Sequence, residues 1–323
     1  MLRHLFAVAV LALALGVTSP AHAHGDHDDD DDRCQKFDVT FSPQPALPAY
    51  DPFNGESMRE VTVTVTSKSS GTCDVAIYFR RNELPPVMTR SSSTLQYAIE
   101  GPGGNSLVQT SDWPGCVQGN RIDLLDIPKN QTRSVTVRVR VPTGQVRPAG
   151  DYIDNYVNLI LVNLNSSHQS HGLITEKDFK PNVKIIAKCV LPAPSPVAHD
   201  FTPAITKGLP DPALTRISTF NNVQCTAPVG LRLSGSAMQP TSATAPRSGF
   251  DNFINWRAQA SFGNASAVLS TNTASQVTSP YKNVVSGPTL NASFDVVINL
   301  LRGSPVIAGT YSGTLTVAID PNF

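Results

Sequence analysis

The stretch Ala-Gly-Asp-Tyr at residues 149–152 occurs a second time as Ala-Gly-Thr-Tyr at residues 308–311. Each copy follows two cysteines with similar spacing, Cys-x38-Cys in the first half of the chain and Cys-x35-Cys in the second. In both copies the tyrosine begins a segment in which apolar and polar residues alternate, as they do in a half-buried strand. The chain therefore contains the same β-rich unit twice.

Alternation with a period of two runs through both halves, and turns rich in Pro and Gly separate the alternating segments. No segment carries the sustained apolar stripe of an amphipathic helix. Many short strands in each half are typical of a β-sandwich, so we expect an all-β chain with two sandwich domains. The clearest strands contain Val61, Val63 and Val65; Val75, Ile77 and Phe79; Val135, Val137 and Val139; and Leu315, Val317 and Ile319.

The first 23 residues have the composition of a secretory signal peptide. Arg3 supplies the positive charge, residues 5–17 are apolar, and Ala-His-Ala at residues 21–23 is a small-residue cleavage site. We therefore expect residues 1–23 to direct export. Residues 24–33, which contain six aspartates and two histidines, are expected to be a disordered segment.

The sandwich domains are expected at residues 34–188 and 189–323. With 25 basic and 25 acidic residues, the chain offers no basic field for nucleic acid. It lacks the nucleophile elbow, zinc-protease motif, phosphate loop and dinucleotide fingerprint, so we expect neither an enzyme nor a cofactor. His168 and His171, or the His and Asp residues of 24–33, could hold a cation, but ordinary solvated residues without a metal are favoured.

Five cysteines in an exported chain are expected to form disulfides. The matched spacings suggest that Cys34 pairs with Cys73 and Cys189 with Cys225, which leaves Cys116 alone. A pairing in which Cys116 displaces a partner in the first domain stays open, because connectivity does not follow from sequence.

The paired cysteines, together with Gly-Asp-Tyr-Ile-Asp from Gly150 and Gly-Thr-Tyr-Ser-Gly-Thr-Leu-Thr-Val from Gly309, resemble the spore coat protein U domain. That domain is also the subunit domain of archaic chaperone–usher pili. Gly313 stands where the family usually has Asp. The resemblance implies immunoglobulin-like sandwiches that lack their final strand. A periplasmic chaperone, and then the N-terminal strand of the next subunit, fills the open groove of such a domain.

The two copies differ in the length of chain after the tyrosine. Another 36 residues separate Tyr152 from Cys189, with room for two more strands, whereas Phe323 lies twelve residues after Tyr311. We therefore expect the second domain to lack its last strand and to need a donor. The likeness to the family implies a groove lined by the last strand, at Tyr311, Leu315, Val317 and Ile319, together with the first strand after Cys189.

The first domain is expected to close itself, because residues 181–188 alternate and put Val183, Ile185 and Ala187 on one face. Residues 25–33 cannot act as a donor strand, since burying several unpaired carboxylates is prohibitively costly. A chain that receives a strand but gives none belongs at the end of a polymer. The resemblance then implies a pilus tip adhesin at the cell surface that mediates attachment and biofilm formation. Its partners would be a periplasmic chaperone, an outer-membrane usher, a donor pilin and an unknown surface or receptor.

Three loops of the first domain have unusual apolar content and several prolines, as exposed contact loops can have. An alternative is that these side chains fold back onto the core of their own domain. The candidates for adhesive contact are Leu47, Tyr50, Phe53, Leu84, Val87, Met88 and Trp113.

Two other functions compete with the pilus adhesin. The same domain could pack into a spore or outer coat as a structural protein. The chain could also be a secreted module that binds a carbohydrate or a metal. A second domain that is stable without a donor strand would favour these alternatives.

Overall fold

The computed structural model of the chain describes residues 34–110, 120–165, 167–191, 197–242, 245, 247–284 and 288–321. Throughout this described part the chain is all-β, without an α-helix. The strands form two groups that share no strand pairing. Each group is an immunoglobulin-like β-sandwich, so the predicted fold class is confirmed. The predicted signal peptide and acidic segment lie outside the described residues.

The first domain consists of the strands up to residue 185. They are β1 (Phe37–Ser42), β2 (Ser57–Ser67), β3 (Cys73–Arg80), β4 (Val87–Arg90), β5 (Ser93–Gln96), β6 (Ala98–Glu100), β7 (Val108–Gln109), β8 (Ile122–Ile127), β9 (Thr132–Val141), β10 (Gly150–Ile153), β11 (Asn158–Leu164), β12 (Ser170–Asp178) and β13 (Asn182–Ile185).

Two sheets enclose the core of the first domain. One has the order β1-β2-β9-β6, and the other has the order β12-β11-β3 with β7 and β8 beside β3. Alternate residues of the facing strands, such as Val63 of β2 and Ile77 of β3, are fully buried between them. A third sheet, of order β13-β10-β4-β5, lies next to these two. The period-2 pattern of the sequence therefore marks the core positions correctly.

The second domain contains the strands from residue 189 onward, with a 3-10 turn at Thr202–Ala204. They are β14 (Cys189–Val190), β15 (Ile205–Thr206), β16 (Leu209–Pro210), β17 (Thr215–Cys225), β18 (Val229–Gly235), β19 (Gln239–Pro240), β20 (Trp256–Phe262), β21 (Ala265–Ser270), β22 (Val277–Thr278), β23 (Lys282–Val284), β24 (Thr289–Leu300), β25 (Tyr311–Ser312) and β26 (Leu315–Pro321).

Two sheets also enclose the core of the second domain. One has the order β14-β17-β24-β20-β21, and in the other β18 pairs with β22, β23 and β26. Trp256 is buried between them, and its indole N–H donates to the carbonyl of Ser236 at 2.8 Å. A Cβ at Gly235 would lie 2.7 Å from the Trp256 ring, so only glycine fits at this position without a shift.

The repeated Ala-Gly-x-Tyr motif forms the same corner in both domains. The hydroxyl of Tyr152 donates to the carbonyl of Pro148 at 3.0 Å, and that of Tyr311 donates to the carbonyl of Ile307 at 2.9 Å. Each bond reaches back four residues from the start of a strand, as in the tyrosine corner of immunoglobulin-like domains. The corner identifies β10–β11 and β25–β26 as equivalent strands of the two domains.

Both suggested disulfides are present, which confirms the pairing from spacing. Cys34 is bonded to Cys73 at the start of β3, and Cys189 of β14 is bonded to Cys225 at the end of β17. Each bridge ties the first segment of its domain to a later strand and is typically worth about 2–4 kcal/mol. Cys116 lies outside the described residues.

The strand that closes the first domain is β12, and the prediction of residues 181–188 for this role is wrong. β12 pairs antiparallel with β11 along its length, and Lys177 of β12 donates to the carbonyl of Val39 at 2.7 Å. Residues 182–185 form β13 instead, which pairs with β10 and buries Val183 and Ile185. The alternating segment is thus a real strand in a different sheet.

Hydrogen bonds join the two domains directly. Thr226 of the second domain is fully buried, and its hydroxyl donates to the carbonyl of Ile186 at 2.7 Å and accepts the Lys188 N–H at 2.8 Å. The Ala149 N–H donates to the Thr226 carbonyl at 2.7 Å. Lys188 also forms an ion pair with Asp51 at 2.5 Å. The link between the domains is therefore ordered by contacts from both sides.

Replacing Thr226 by Val is expected to destabilise the chain by about 1–3 kcal/mol, because the carbonyl of Ile186 and the N–H of Lys188 lose the partner that the buried Thr226 hydroxyl gives them. Urea unfolding measures the change in free energy. The exposed Thr278 serves as the control, and Thr278→Val is expected to change stability by less than about 0.5 kcal/mol. Equal effects of the two substitutions would contradict the role of the Thr226 hydroxyl.

Candidate functional site

The last strand of the second domain has one paired edge. β26 pairs antiparallel with β18 along its whole length, with Val317 opposite Leu233 and Ile319 opposite Leu231. No strand among the described residues pairs with the other edge of β26. In the first domain the equivalent strand β11 lies between β3 and β12. The second domain thus has an open edge at the position that β12 fills in the first.

The side chains next to this edge are apolar and only partly covered. Leu315, Val317 and Ile319 pack against the core of the second domain and remain half-buried. Their counterparts on β11, such as Leu159 and Leu161, have no exposed surface. The difference follows from the neighbour strand, because β12 covers β11 and no strand of the described residues covers β26. An apolar strip therefore lies beside a row of backbone groups without strand partners.

The opposite side of the strip is formed by the start of the second domain. β14 lies beside β26, and Cys189 and Leu191 are half-buried against the same core. β14 pairs with β17 through only two residues. The open edge of β26 and the short β14 together border this apolar strip. An extended chain with apolar residues at every second position has the spacing to pair with the edge and to cover the strip.

Tyr311 has a different place from the other predicted groove residues. Its ring packs against the core, while its hydroxyl is held by the carbonyl of Ile307 in the corner described above. Burial raises the pKa of this hydroxyl above its ordinary value. Tyr311 therefore fixes the corner that precedes β26, and its hydroxyl is not available at the edge of that strand.

An exposed contact supports the end of β26 from outside. The hydroxyl of Tyr281 donates to the carboxylate of Asp320 at 2.6 Å, and the Arg232 guanidinium lies 4.4 Å from the centre of the Tyr281 ring. The hydrogen bond to Asp320 raises the pKa of Tyr281. This contact holds the terminal part of β26 in place although one of its edges is unpaired.

Hydrogen exchange is expected to distinguish the two equivalent strands. Amides of β26 that point to its open edge are predicted to exchange within seconds, whereas the amides of β11 stay protected, because only β11 has neighbours on both sides. Exchange followed by mass spectrometry on the intact chain measures this. Protection of β26 equal to that of β11 would show that its edge is covered.

The predicted adhesive residues of the first domain do not form one exposed surface. Leu47, Tyr50 and Met88 are buried in its core, so their prediction as contact residues is wrong. The hydroxyl of Tyr50 donates to the carbonyl of Pro142 at 2.7 Å, which shows why this tyrosine turns inward. Phe53 and Val87 are half-buried, Leu84 is 52% exposed, and Trp113 lies outside the described residues.

A buried ion pair holds the loop that displays Leu84. The Arg81 guanidinium donates to the Asp154 carboxylate at 2.7 Å, and Arg81 also donates to the carbonyls of Glu83 and Val87. Tyr97 donates to the same carboxylate at 2.9 Å. Burial, reinforced by the Asp154 charge, raises the pKa of Tyr97 above its ordinary value. The sequence carried no signal for this cluster, because its members come from separate strands.

Substituting Asp154 by Ala is expected to destabilise the first domain by about 3–5 kcal/mol, because the Arg81 charge stays buried without a partner. Urea unfolding followed by circular dichroism measures this loss. Asp178 is the matched control, since its ion pair with Lys180 is exposed and is worth about 0–1 kcal/mol. A loss for Asp154→Ala no larger than for Asp178→Ala would show that the buried pair is not structurally important.

Within the described residues there is no group of three or more His, Cys, Asp or Glu side chains that could hold a metal ion. No helix in that part of the chain is long and apolar enough to span a membrane. His168 lies in an exposed turn.

No protein-family model matches this chain, and no curated protein matches it. Solved structures do match it. One is a chain of the CsuC–CsuE chaperone–tip adhesion subunit complex of archaic chaperone–usher Csu pili from Acinetobacter baumannii. The match covers 87% of this chain and 100% of that chain, with 13% sequence identity and a TM-score of 0.40. Another is the CupB6 tip adhesin from Pseudomonas aeruginosa, with 10% identity over 88% of this chain and 95% of that chain and a TM-score of 0.41. At these values the likeness is one of fold.

Proposed function

We propose that this chain is the tip adhesin of a chaperone–usher pilus and that it is assembled by donor-strand complementation. The observation that carries the proposal is the open edge of β26 beside half-buried Leu315, Val317 and Ile319. An unpaired edge with an apolar strip is a template for an added strand. The proposal also takes up the resemblance of the two Cys and Gly-x-Tyr frames to the spore coat protein U family.

The first domain supports a terminal position in the pilus. Its own β12 pairs with the edge of β11 that corresponds to the open edge of β26 in the second domain. Lys177 of β12 also donates a hydrogen bond to the carbonyl of Val39. This domain therefore needs no donor. The segment before Cys34 carries six aspartates, whose burial in an apolar groove would be too costly for it to serve as a donor strand. The second domain would therefore receive a donor strand, and the first domain would lie at the free end of the pilus.

The proposed path of the protein follows from these requirements. A signal peptide at residues 1–23 would deliver the chain to the periplasm, where a chaperone would fill the groove. An outer-membrane usher would then exchange the chaperone for the N-terminal strand of the next pilin. The first domain, at residues 34–188, would attach the pilus to a surface or receptor, and residues 189–323 would anchor it. No catalytic step or cofactor is involved.

Donor peptides should stabilise the second domain. The chain from residue 24 onward is heated with synthetic peptides of alternating apolar sequence, taken from the N-termini of candidate partner pilins. At a hundred times its dissociation constant, a bound peptide adds about 2.7 kcal/mol, which corresponds to a rise of about 10 °C in the melting temperature of a domain of this size. Differential scanning calorimetry measures the shift, and a scrambled peptide is the control.

Two neighbouring residues of β26 give a matched pair of variants. Val317→Asp places a charge on the groove face and is expected to abolish the peptide-induced shift, whereas Thr316→Asp, on the exposed face, should retain it. The comparison uses the shift and not the absolute melting temperature, so any loss of basal stability does not interfere. A second domain that melts cooperatively without a peptide and shows no shift with any of them would favour a coat protein or binding module.

A further inference from the structure

The covalent connection between the two domains is short. β13 of the first domain ends at Ile185 and β14 of the second begins at Cys189, so residues 186–188 are the whole connection. The first domain holds the chain as far as Ile186, whose N–H donates to the carbonyl of Tyr50 at 3.1 Å. Any rotation of one domain against the other must therefore come from the torsion angles of residues 186–188, which we call the hinge.

One residue of the second domain bonds to both ends of the hinge. The buried Thr226 hydroxyl donates to the carbonyl of Ile186 and accepts the N–H of Lys188. The Thr226 N–H donates to the carbonyl of Lys188 at 2.9 Å, and the Thr226 carbonyl accepts the N–H of Ala149 from the first domain. Thr226 therefore holds the hinge closed through its side chain and its backbone together.

The position of Thr226 depends on the residue before it. Cys225 lies directly opposite Cys189 in the pairing of β14 with β17, and the disulfide joins the two. That pairing is only two residues long, and the pairing of β17 with β24 shifts register on both sides of Val223. A ladder of two residues offers few hydrogen bonds against separation. The covalent bridge is therefore the main restraint that keeps Thr226 against the hinge.

The remaining contact of the hinge is weaker. Lys188 forms its ion pair with Asp51 of the first domain, but the Lys188 side chain is 40% exposed. Ion pairs that are open to water are screened by salt and contribute little. This pair favours the closed hinge but does not replace the contacts of Thr226.

The two cysteines of this bridge differ in exposure. Cys189 is half-buried, whereas Cys225 has no exposed surface. A thiolate therefore reaches the bridge from the Cys189 side. The other disulfide, Cys34–Cys73, lies wholly within the first domain and serves as the reference bridge.

We propose that the Cys189–Cys225 disulfide is the lock of the hinge, so that the two domains keep one orientation while the bridge is intact and turn independently once it is reduced. The bridge would then act between the domains as well as within the second one. This role does not depend on the pilus assignment, because it concerns only the junction.

A dithiol reductant would open the lock by thiol–disulfide exchange. Its first thiolate attacks the Cys189 sulfur, forms a mixed disulfide and releases the Cys225 thiolate. Its second thiolate then displaces the Cys189 thiolate, and the reductant leaves with an internal disulfide. Two electrons pass from the reductant to the bridge, and the two cysteines take up the two protons that the reductant loses.

The test compares the chain from residue 24 onward with two double variants. Cys189→Ala/Cys225→Ala removes the lock, and Cys34→Ala/Cys73→Ala removes the reference bridge. The bond after Lys188 is a trypsin site at the end of the hinge, so its cleavage rate reports opening. We expect the lock variant, and the parent chain treated with dithiothreitol, to be cut there about tenfold faster than the untreated parent. The reference variant should be cut at the parent rate.

Hydrogen exchange gives a second measurement on the same proteins. The amide of Ala149 belongs to the first domain, but its described partner is the Thr226 carbonyl. Removal of the lock should therefore speed exchange of this amide, whereas the reference variant should leave it unchanged.

Unchanged cleavage after Lys188 in the lock variant, or equal acceleration in both double variants, would overturn the proposal. Mass spectrometry locates each cut. Cleavage within the strands of the second domain, such as after Arg232 or Arg257, would also overturn it, because the bridge would then maintain that domain's fold and not the hinge. The peptide-induced melting shift, measured on the parent chain, tests the pilus assignment separately.

Discussion

Backbone N–H and carbonyl groups along a strand need partners, and this requirement explains most of the difference between the two domains. In the first domain β12 supplies partners to β11 and covers its apolar face. In the second domain the equivalent β26 has β18 on one side and no described strand on the other. Half-buried Val317 and Ile319 beside that edge are the consequence. The proposed donor strand would supply partners to the backbone and would cover these side chains.

The two domains otherwise follow one plan. Tyr152 and Tyr311 close the same corner, and each domain has a disulfide from its first segment to a later strand. Thr226 then ties the second domain to the end of the first through hydrogen bonds to Ile186 and Lys188. Such a connection restricts movement of the first domain relative to the second.

The apolar loops show why surface chemistry is hard to derive from composition. Tyr50 and Met88 stand in proline-rich segments, yet both are core residues, and the Tyr50 hydroxyl is satisfied inside the domain. Leu84 remains exposed, on a loop that Arg81 and Asp154 hold in place.

Local pattern was sufficient for the strands, the sandwich class and the cysteine pairs, because the period of two and the repeated spacing are properties of neighbouring residues. The open edge was also expected, from the unequal lengths after Tyr152 and Tyr311. Tertiary structure alone decided which segment closes the first domain. β12 is polar and partly exposed, as an edge strand can be, whereas the more regular Val183 and Ile185 belong to another sheet. It also decided which loops face outward and that Arg81, Tyr97 and Asp154 meet, because these depend on pairings between residues far apart in the chain.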